Sequence, residues 1–176
     1  MIILGIDPGT ATTGYGIIKI SSRRKKLNKS GRKRQKPIAI DWGCIKTDSG
    51  LPPGDRLKKI NKELNKLIKK HNPTILAVEN LYFFKNLKTA IPVSQAKGVI
   101  LLTAARKKIP VYELTPLQVK MKITGYGRAK KEEVQRKIQY LLDLKKSNKK
   151  ITKARDDAID ALGVALCYAK IKKLTS

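Results

Sequence analysis

A chain of 176 residues is long enough for one domain with a substantial hydrophobic core. Its 40 lysines and arginines against 13 acids give a formal net charge of +27, which favours a polyanionic partner, although a charged solubility surface is an alternative. No apolar run reaches the length of a membrane span, and the first residues have the pattern of a core strand rather than a signal peptide. The only histidine, His71, stands at a predicted helix end, which argues against histidine-based catalysis. Cys44 and Cys167 lack metal-binding spacing and are predicted to be buried free thiols, so we expect a cytoplasmic protein with a single domain over residues 1–176.

The first stretch, MIILGIDPGTATTGYG, predicts a buried strand that ends on a carboxylate. The apolar run Ile2–Ile6 stops at Asp7, the turn residues Pro8 and Gly9 follow, and a return strand is predicted over Tyr15–Ile20. A carboxylate at the end of a buried strand is costly unless a cation or hydrogen-bond donors meet it. Asp7 is therefore either a cap of the turn or a metal ligand, and this stretch alone does not decide between them.

A basic segment separates this strand from the next one. Residues 21–36, SSRRKKLNKSGRKRQK, contain a single large apolar side chain and are predicted to be a mobile loop inserted in a hairpin before the strand Ile38–Ile45. Such a run can also be a nuclear-localisation signal. We favour contact with nucleic acid, because the excess positive charge extends along the whole chain. The residues expected to make this contact are Arg23, Arg24, Lys25 and Lys26.

The second half of the sheet contains another predicted strand that ends on a carboxylate, as the first strand does at Asp7. A helix with apolar residues at helical spacing stops at Asn72-Pro73, and its other face carries lysines. The short apolar strand Ile75–Val78 then ends on Glu79. Two such strands side by side would place two carboxylates at one edge of a sheet, which favours the metal-ligand interpretation over the turn cap.

Tyr82-Phe83-Phe84 follows Glu79 in a chain that is only 5% aromatic. Aromatic side chains beside a carboxylate favour stacking on nucleic-acid bases, and packing under a loop is the alternative. Further along, the pattern predicts a helix from about Val93 to Lys107, a strand over Val111–Leu114, a helix that Thr115 caps, and a helix over Ala129–Leu142. A second basic stretch, residues 145–155, is predicted to be a linker.

The last predicted helix, from about Arg155 to Lys172, carries three acids. Residues three and four apart share a helix face, so either Asp157 or Asp156 can point to the same site as Asp160. Asp156 falls on the upstream extension of an apolar stripe and is expected to cap the first turn. Asp157 shares its row with Asp160. The stripe consists of Ile159, Leu162, Gly163 and Leu166.

Four carboxylates from three elements thus point to one site, in a chain that has few acids. Such a cluster repels itself without a divalent cation, and oxygen ligands select Mg²⁺ or Mn²⁺. Two such ions about 4 Å apart can activate water and stabilise the leaving oxygen in phosphodiester cleavage. The basic surface indicates that the substrate is nucleic acid.

Six motifs, in order along nearly the whole chain, are similar to those of the RuvC-type Holliday-junction endonucleases, a family of crossover junction endodeoxyribonucleases in the ribonuclease H-like superfamily. They are GIDPGTATTGYG, AVEN, SQAKGV, TPLQVK, GYGRAKKEEVQ and DAIDALGVALC. The resemblance implies an α/β fold with a five-stranded mixed sheet, three antiparallel strands followed by two parallel ones, flanked by helices. The loop at 21–36 and the segment at 145–155 are more basic than the family leads us to expect.

The resemblance also implies site residues and partners. The catalytic and metal-binding carboxylates would be Asp7, Glu79, Asp157 and Asp160, with two Mg²⁺ ions per site that Mn²⁺ can replace. Lys120 and Lys131 would approach the DNA, and Tyr82 would insert at the centre of a four-way junction. A homodimer would pack through the helix near Val93–Lys107, and each subunit would nick one strand to leave a 5′-phosphate and a 3′-hydroxyl. Branch-migration proteins are further partners that the resemblance suggests.

Three alternatives remain from the sequence. The Gly5–Thr10 stretch is also similar to the first phosphate loop of actin-like ATPases and sugar kinases, but the chain is short for the two halves that those proteins need. A non-catalytic DNA-binding protein would explain the charge but not the four acids. A nuclease of the same fold that acts on another nucleic acid, such as RNA, would share all of these features.

Overall fold

The computed structural model describes residues 1–20, 37–80, 87–144 and 156–175. Its centre is one five-stranded sheet in the spatial order β3-β2-β1-β4-β5. The strands are β1 (Ile2–Asp7), β2 (Thr12–Ile20), β3 (Pro37–Lys46), β4 (Ile75–Glu79) and β5 (Val111–Leu114). The helices are α1 (Pro53–His71), α2 (Leu87–Arg106), α3 (Pro116–Thr124), α4 (Lys131–Leu141) and α5 (Asp156–Ile171).

The sheet confirms the mixed topology that the sequence implied. β1 pairs antiparallel with β2, and β2 pairs antiparallel with β3. β4 pairs parallel with β1 on its other side, and β5 continues the parallel half. Both β1 and β4 therefore end at the same edge of the sheet, which we call the carboxyl edge.

Helices cover both faces of the sheet, because the strands alternate their apolar side chains between two cores. Leu4 and Ile6 of β1 pack with α1 and α2 in one core. Ile3 of β1 lies in the other core, which α3, α4 and α5 complete. Since side chains alternate along a strand, Asp7 lies on the same face as Ile3, beneath α5.

α5 is more buried than its apolar stripe predicted. The sequence pattern indicated one buried side, yet every residue from Ala158 to Ala169 except Asp160 is buried. The reason is that α5 packs against the sheet on one side and against α3 and α4 on the other. Asp160 is the only charged residue in that stretch.

Several predicted boundaries were wrong. β2 begins at Thr12 rather than Tyr15, because its ladder with β1 continues to the pair Asp7 and Gly14. α2 begins at Leu87 rather than near Val93, and Pro92 lies inside it. Proline in a helix interior removes a backbone hydrogen bond and usually ends the helix. Cys44 is only half-buried, whereas Cys167 is fully buried, and neither cysteine forms a disulfide.

Some predictions concern residues outside the described ranges. They include the proposed DNA contacts at Arg23, Arg24, Lys25 and Lys26, the stacking role of Tyr82, and the linker at 145–155. Within the part of the chain that the structure describes, none of the helices has the length and apolar character needed to cross a bilayer.

Candidate metal centre and active site

Asp7 and Glu79 occupy equivalent positions at the carboxyl edge. The parallel register of β1 and β4 runs from Ile3 opposite Ile75 to Ile6 opposite Val78, and Asp7 and Glu79 are the next residues of the two strands. Both strands are buried up to these positions, where each becomes partly exposed. Adjacent parallel strands therefore deliver two carboxylates to one place, as their sequence pattern predicted.

The backbone of α5 lies directly on the sheet beside Asp7. Gly14 is the cross-strand partner of Asp7, and a β-carbon at Gly14 would collide with the carbonyl oxygen of Asp157. A β-carbon at Gly5 would likewise collide with the carbonyl oxygen of Ala161, one turn further along the helix. The absence of side chains at these two glycines lets α5 approach closely enough to bring its acids to the strand ends.

This close approach assembles a cluster of three carboxylates. One carboxylate oxygen from each of Asp7, Asp157 and Asp160 lies within 4.8 Å of the others. Of the two neighbouring acids in the first turn of α5, it is Asp157 that joins this group. Glu79 does not belong to this group of three carboxylates, but it lines the same cleft as Asp7 and Asp160.

The cleft beside the carboxylates has a volume of about 240 Å³. Two lysines, Lys120 of α3 and Lys131 of α4, line it together with the acids. The rest of its wall is mainly apolar and comes from α3 and α4. These wall residues are Pro116, Val119, Val134 and Ile138. The cleft thus combines a carboxylate floor with a cationic rim, which suits a phosphate group that is met by both a metal ion and ammonium groups.

Burial and repulsion by neighbouring acids disfavour the charged forms of Asp7 and Glu79. Burial, and then the charges of Glu79, Asp160 and Asp157, raise the pKa of Asp7 well above its usual value. Burial, followed by the charge of Asp160, raises the pKa of Glu79 to about 7, although Lys131 and Lys120 oppose the shift. A divalent cation would relieve both effects, because it replaces lost hydration and neutralises the repulsion.

Two side chains of α4 hold Asp160. Lys131 Nζ lies 2.9 Å from Asp160 Oδ2, and Gln135 Nε2 donates a 3.0 Å hydrogen bond to Asp160 Oδ1. Burial alone would lower the pKa of Lys131, but its hydrogen bond to Asp160 and the charge of that group raise it above its usual value. Gln135 was not among the site residues predicted from the sequence. The sequence feature that could have indicated Gln135 is its position four residues after Lys131, because residues at this spacing lie on one face of a helix.

Lys120 reaches the cleft because α3 begins with a well-formed cap. Thr115 Oγ1 accepts a 3.1 Å hydrogen bond from the Gln118 backbone, and Gln118 Oε1 accepts one of 2.8 Å from the Thr115 backbone. This reciprocal pair is a capping box, which fixes the direction of the helix directly after β5. The cap that the sequence predicted at Thr115 is thus confirmed.

A largely buried lysine that was not predicted as a site residue fastens the end of β4. Lys97 of α2 is only 14% exposed, and its ammonium group forms an ion pair with Glu113 of β5. It also donates a 2.7 Å hydrogen bond to Asn80 Oδ1, the residue that follows Glu79. Lys97 therefore connects α2 with the strand end that carries Glu79. The sequence feature that could have indicated this lysine is its place among the small residues of SQAKGV.

The chemistry of the donor set fits a hard divalent cation. The converging groups of Asp7, Asp157 and Asp160 are carboxylates, the ligands that Mg²⁺ and Mn²⁺ prefer. Burial first, and then the charges of the neighbouring acids, raise the pKa of Asp7, and a bound cation would oppose both causes. The site therefore has both the ligands and the electrostatic deficit that a metal centre requires.

Comparison with known proteins agrees with this geometry. The family model of the crossover junction endodeoxyribonuclease RuvC matches residues 3–168. A RuvC from Pelotomaculum thermopropionicum is 44% identical over 169 residues, which cover 96% of this chain and 93% of the relative. A RuvC from Moorella thermoacetica is 46% identical over 169 residues, which cover 96% of this chain and 91% of the relative.

Solved structures show the same architecture. The structure of Thermus thermophilus RuvC matches with a TM-score of 0.82 and 28% identity, over 99% of this chain and 96% of that one. The same protein in complex with a Holliday-junction substrate matches equally well. The yeast mitochondrial Holliday junction resolvase Ydc2 has a TM-score of 0.64 at 14% identity, over 98% of this chain and 79% of that one, and shares the fold.

Proposed function

Because the chain belongs to the RuvC family of crossover junction endodeoxyribonucleases, we propose that it resolves four-way DNA junctions by metal-dependent nicking of two strands. The cluster of Asp7, Asp157 and Asp160 carries this proposal, since three carboxylates within 4.8 Å need a cation in a protein whose surface suits a polyanion. Each nick would leave a 5′-phosphate and a 3′-hydroxyl. We expect the protein to act in the cytoplasm as a single domain over residues 1–176.

The proposed metal ligands are Asp7, Glu79, Asp157 and Asp160. Two Mg²⁺ ions, which Mn²⁺ can replace, would supply an activated water and stabilise the oxygen that leaves phosphorus. Asp160 is the carboxylate that Lys131 and Gln135 already orient, so its position does not depend on the substrate. This fixed geometry is what a site needs to hold reacting groups in line.

The lysines of the rim have a second proposed role. Lys131 is 54% exposed at its side chain, so it can meet a phosphate of the DNA while it remains paired with Asp160. Lys120 lines the same cleft, and its charge acts on Glu79. We expect both lysines to bind the backbone phosphates next to the scissile bond, which breaks between phosphorus and the 3′-oxygen. Stacking by Tyr82 and backbone contacts by Arg23, Arg24, Lys25 and Lys26 remain predictions for residues outside the described ranges.

Two nicks in one junction need two active sites, so we propose a homodimer. The helix α2 supports the interface that the family resemblance implied, because it exposes large apolar side chains on the face turned away from the sheet. Ile91 is 69% exposed and Leu102 is 51% exposed. A second copy of this chain would cover them. Sedimentation of the wild type and of Leu102→Glu tests this, with a dimer expected only for the wild type.

The central experiment compares three labelled substrates in the presence of Mg²⁺: a synthetic four-way junction, a linear duplex of the same sequence, and an RNA hairpin. We expect paired nicks in the junction, with ends that a ligase can reseal, and no comparable cutting of the other two. Chelation of the metal should stop the reaction. Equal cutting of the linear duplex or the RNA would favour a nuclease with another substrate, and an uncut junction would favour a non-catalytic DNA-binding protein.

A further inference from the structure

The solvent face of α1 is a continuous row of lysines, which we call the lysine face. Six lysines of this helix are exposed, while Ile60, Leu64 and Ile68 on the opposite side are buried in the core. At 3.6 residues per turn, all six fall within a sector of about 120° around the helix axis. The lysine face consists of Lys58, Lys59, Lys62, Lys66, Lys69 and Lys70.

This arrangement works against the stability of the helix. Like charges four residues apart repel each other, and the lysine face contains the pairs 58 and 62, 62 and 66, and 66 and 70. The helix dipole favours cations only in the last turn, so it does not compensate for Lys58 and Lys62. Lys66 is paired with Glu63 at 2.8 Å and Lys70 with Asp41 at 3.0 Å, so the charge that lacks compensation lies mainly at Lys58, Lys59, Lys62 and Lys69. A binding partner with many negative charges would offset the repulsion directly.

The lysine face begins at the carboxyl edge of the sheet, where the candidate active site lies. Near the start of α1, Arg56 Nε donates a 2.9 Å hydrogen bond to Thr47 Oγ1. The Thr47 hydroxyl in turn donates to the backbone oxygen of Thr10, which lies in the turn after Asp7. The helix is thus anchored beside the catalytic strand end and runs from there along the opposite face of the sheet.

At its far end the lysine face widens toward α2. A cleft of about 430 Å³ lies between the carboxyl ends of the two helices, and its lining includes Lys66, Lys69, Asn72 and Lys107. From Lys58 to Lys70 the helix rises about 18 Å. Duplex DNA carries one charge per roughly 1.7 Å of its axis with both strands counted, so about ten phosphates lie along this length and those on the near side can meet the lysines.

We propose that the lysine face of α1 is a second binding surface for duplex DNA, separate from the cleft and directed at the phosphate backbone rather than at base sequence. The inference rests on the proposed function only in taking DNA as the polyanion. The duplex is an arm of the junction held in the cleft, because the lysine face begins at the same carboxyl edge. A separate DNA molecule is an outcome that the test distinguishes.

The test replaces Lys58, Lys62 and Lys69 by Gln, which removes three charges but keeps helix-forming side chains. The control variant replaces Lys19, Lys172 and Lys173 by Gln. These three are also exposed, and they lie away from the carboxyl edge, since Lys19 pairs with Ile2 at the start of β1 and the other two follow the end of α5. Thermal unfolding should show that both variants fold.

The measured quantity is the slope of log affinity against log salt concentration for a four-way junction without metal. If the face holds an arm of the same junction, the slope of the lysine-face variant falls by about 0.9 for each phosphate that the helix no longer neutralises, while the control matches the wild type. An unchanged junction slope, together with loss of capture of a separate labelled linear duplex by the junction-bound variant, would overturn the proposal in favour of a separate DNA molecule.

Equal slopes and equal capture in the wild type and the lysine-face variant would overturn it, as would an equal loss in the control variant. Cleavage at saturating junction with Mg²⁺ separates this inference from the proposed function. The lysine-face variant should then nick as fast as the wild type, because its cleft is intact. A wild type that nicks nothing would refute the proposed function, and the salt slopes would still decide the role of α1.

Discussion

Two regions of this molecule bury a carboxylate, and they deal with its charge in opposite ways. Asp41 of β3 is only 6% exposed and faces two basic groups, since Lys70 Nζ and His71 Nε2 each lie 3.0 Å from its Oδ2. Asp7 of β1 is surrounded instead by Glu79, Asp157 and Asp160, all of which raise its pKa. The chain supplies counter-charges to the first carboxylate and further acids to the second.

A carboxylate with basic partners is expected to stabilise the fold, whereas a carboxylate beside further acids is expected to hold a cation. A buried charge is costly unless it is paired. At Asp41 the side chains of α1 provide the pairing, and the result is a tie between β3 and α1. In the cleft, Lys131 pairs with Asp160. The other acids of the cluster are left to an external cation. The contrast predicts that removal of a carboxylate has opposite effects on stability in the two regions.

The largest expected effect is on cleavage. Asp7→Asn and Asp157→Asn each keep size and shape but remove a charge from the proposed metal site. Loss of outer-shell partners of a metal typically costs about 10–100-fold, so loss of a ligand should lower the nicking rate by at least about 100-fold. Junction binding should be kept or tightened, because repulsion of the phosphates falls. Single-turnover cleavage measures the nicking rate, and gel-shift assays measure junction binding. A nicking rate near that of the wild type would refute the site assignment.

The next effect is on stability and depends on pH. The folded state raises the pKa of Glu79 from 4.5 to about 7, so folding favours the protonated form. The contribution of Glu79 to stability is then largest below about pH 4.5 and is lost as the pH rises toward 7. Glu79→Gln removes this loss. Without metal it should therefore be more stable than the wild type at pH 8, by up to about 3 kcal/mol, and nearly equal at pH 4.5.

Denaturant unfolding at the two pH values, with a chelator present, measures this difference. A variant less stable than the wild type at pH 8 would show that the cleft satisfies Glu79 internally, as β3 satisfies Asp41.

At Asp41, removal of the carboxylate should lower the stability of the folded protein. Asp41→Ala removes the shared partner of Lys70 and His71 and should destabilise the protein by about 2 kcal/mol. This lies below the range for fully buried pairs because Lys70 is 67% exposed at its side chain. The nicking rate at saturating junction should not change, since the carboxylate cluster remains intact. A variant that folds stably but does not nick would place Asp41 in the functional machinery.

The smallest effect is expected at Asp156, the neighbour of a proposed ligand. It lies in the first turn of α5, where an acid interacts favourably with the free backbone amides. Asp156→Ala should cost roughly 1 kcal/mol of stability and leave most of the activity. The matched comparison is Asp157→Asn. If Asp156→Ala were inactive and Asp157→Asn active, the assigned register of α5 would be off by one residue.

The sequence predicted those features that depend on the local pattern of residues. Apolar runs that end on Asp7 and Glu79 predicted two strand ends with carboxylates, and the parallel pairing of β1 and β4 brings them to one edge. The helical spacing of Asp157 and Asp160 predicted their shared direction, and their oxygens do converge with that of Asp7. The cap at Thr115 also followed from local residue types.

What the sequence did not reveal depends on contacts between distant elements. The role of Gly14 is to admit the backbone of α5, which is visible only once the helix lies on the sheet. The full burial of α5 arises from α3 and α4 on its outer side. The pairing of Lys97 with Glu113 joins side chains of α2 and β5 that are 16 residues apart, and no local pattern shows that they meet.

The most direct test of the metal centre is whether Mn²⁺ stabilises the folded protein through the carboxylate cluster. Thermal unfolding at pH 8 should show a higher melting temperature for the wild type with Mn²⁺ than with a chelator, equivalent to about 2.7 kcal/mol at a metal concentration of about 100 times Kd. Asp156→Ala should keep this shift, and Asp157→Asn should lose most of it. No shift in the wild type, or an equal shift in Asp157→Asn, would contradict the claim that these acids form a metal centre.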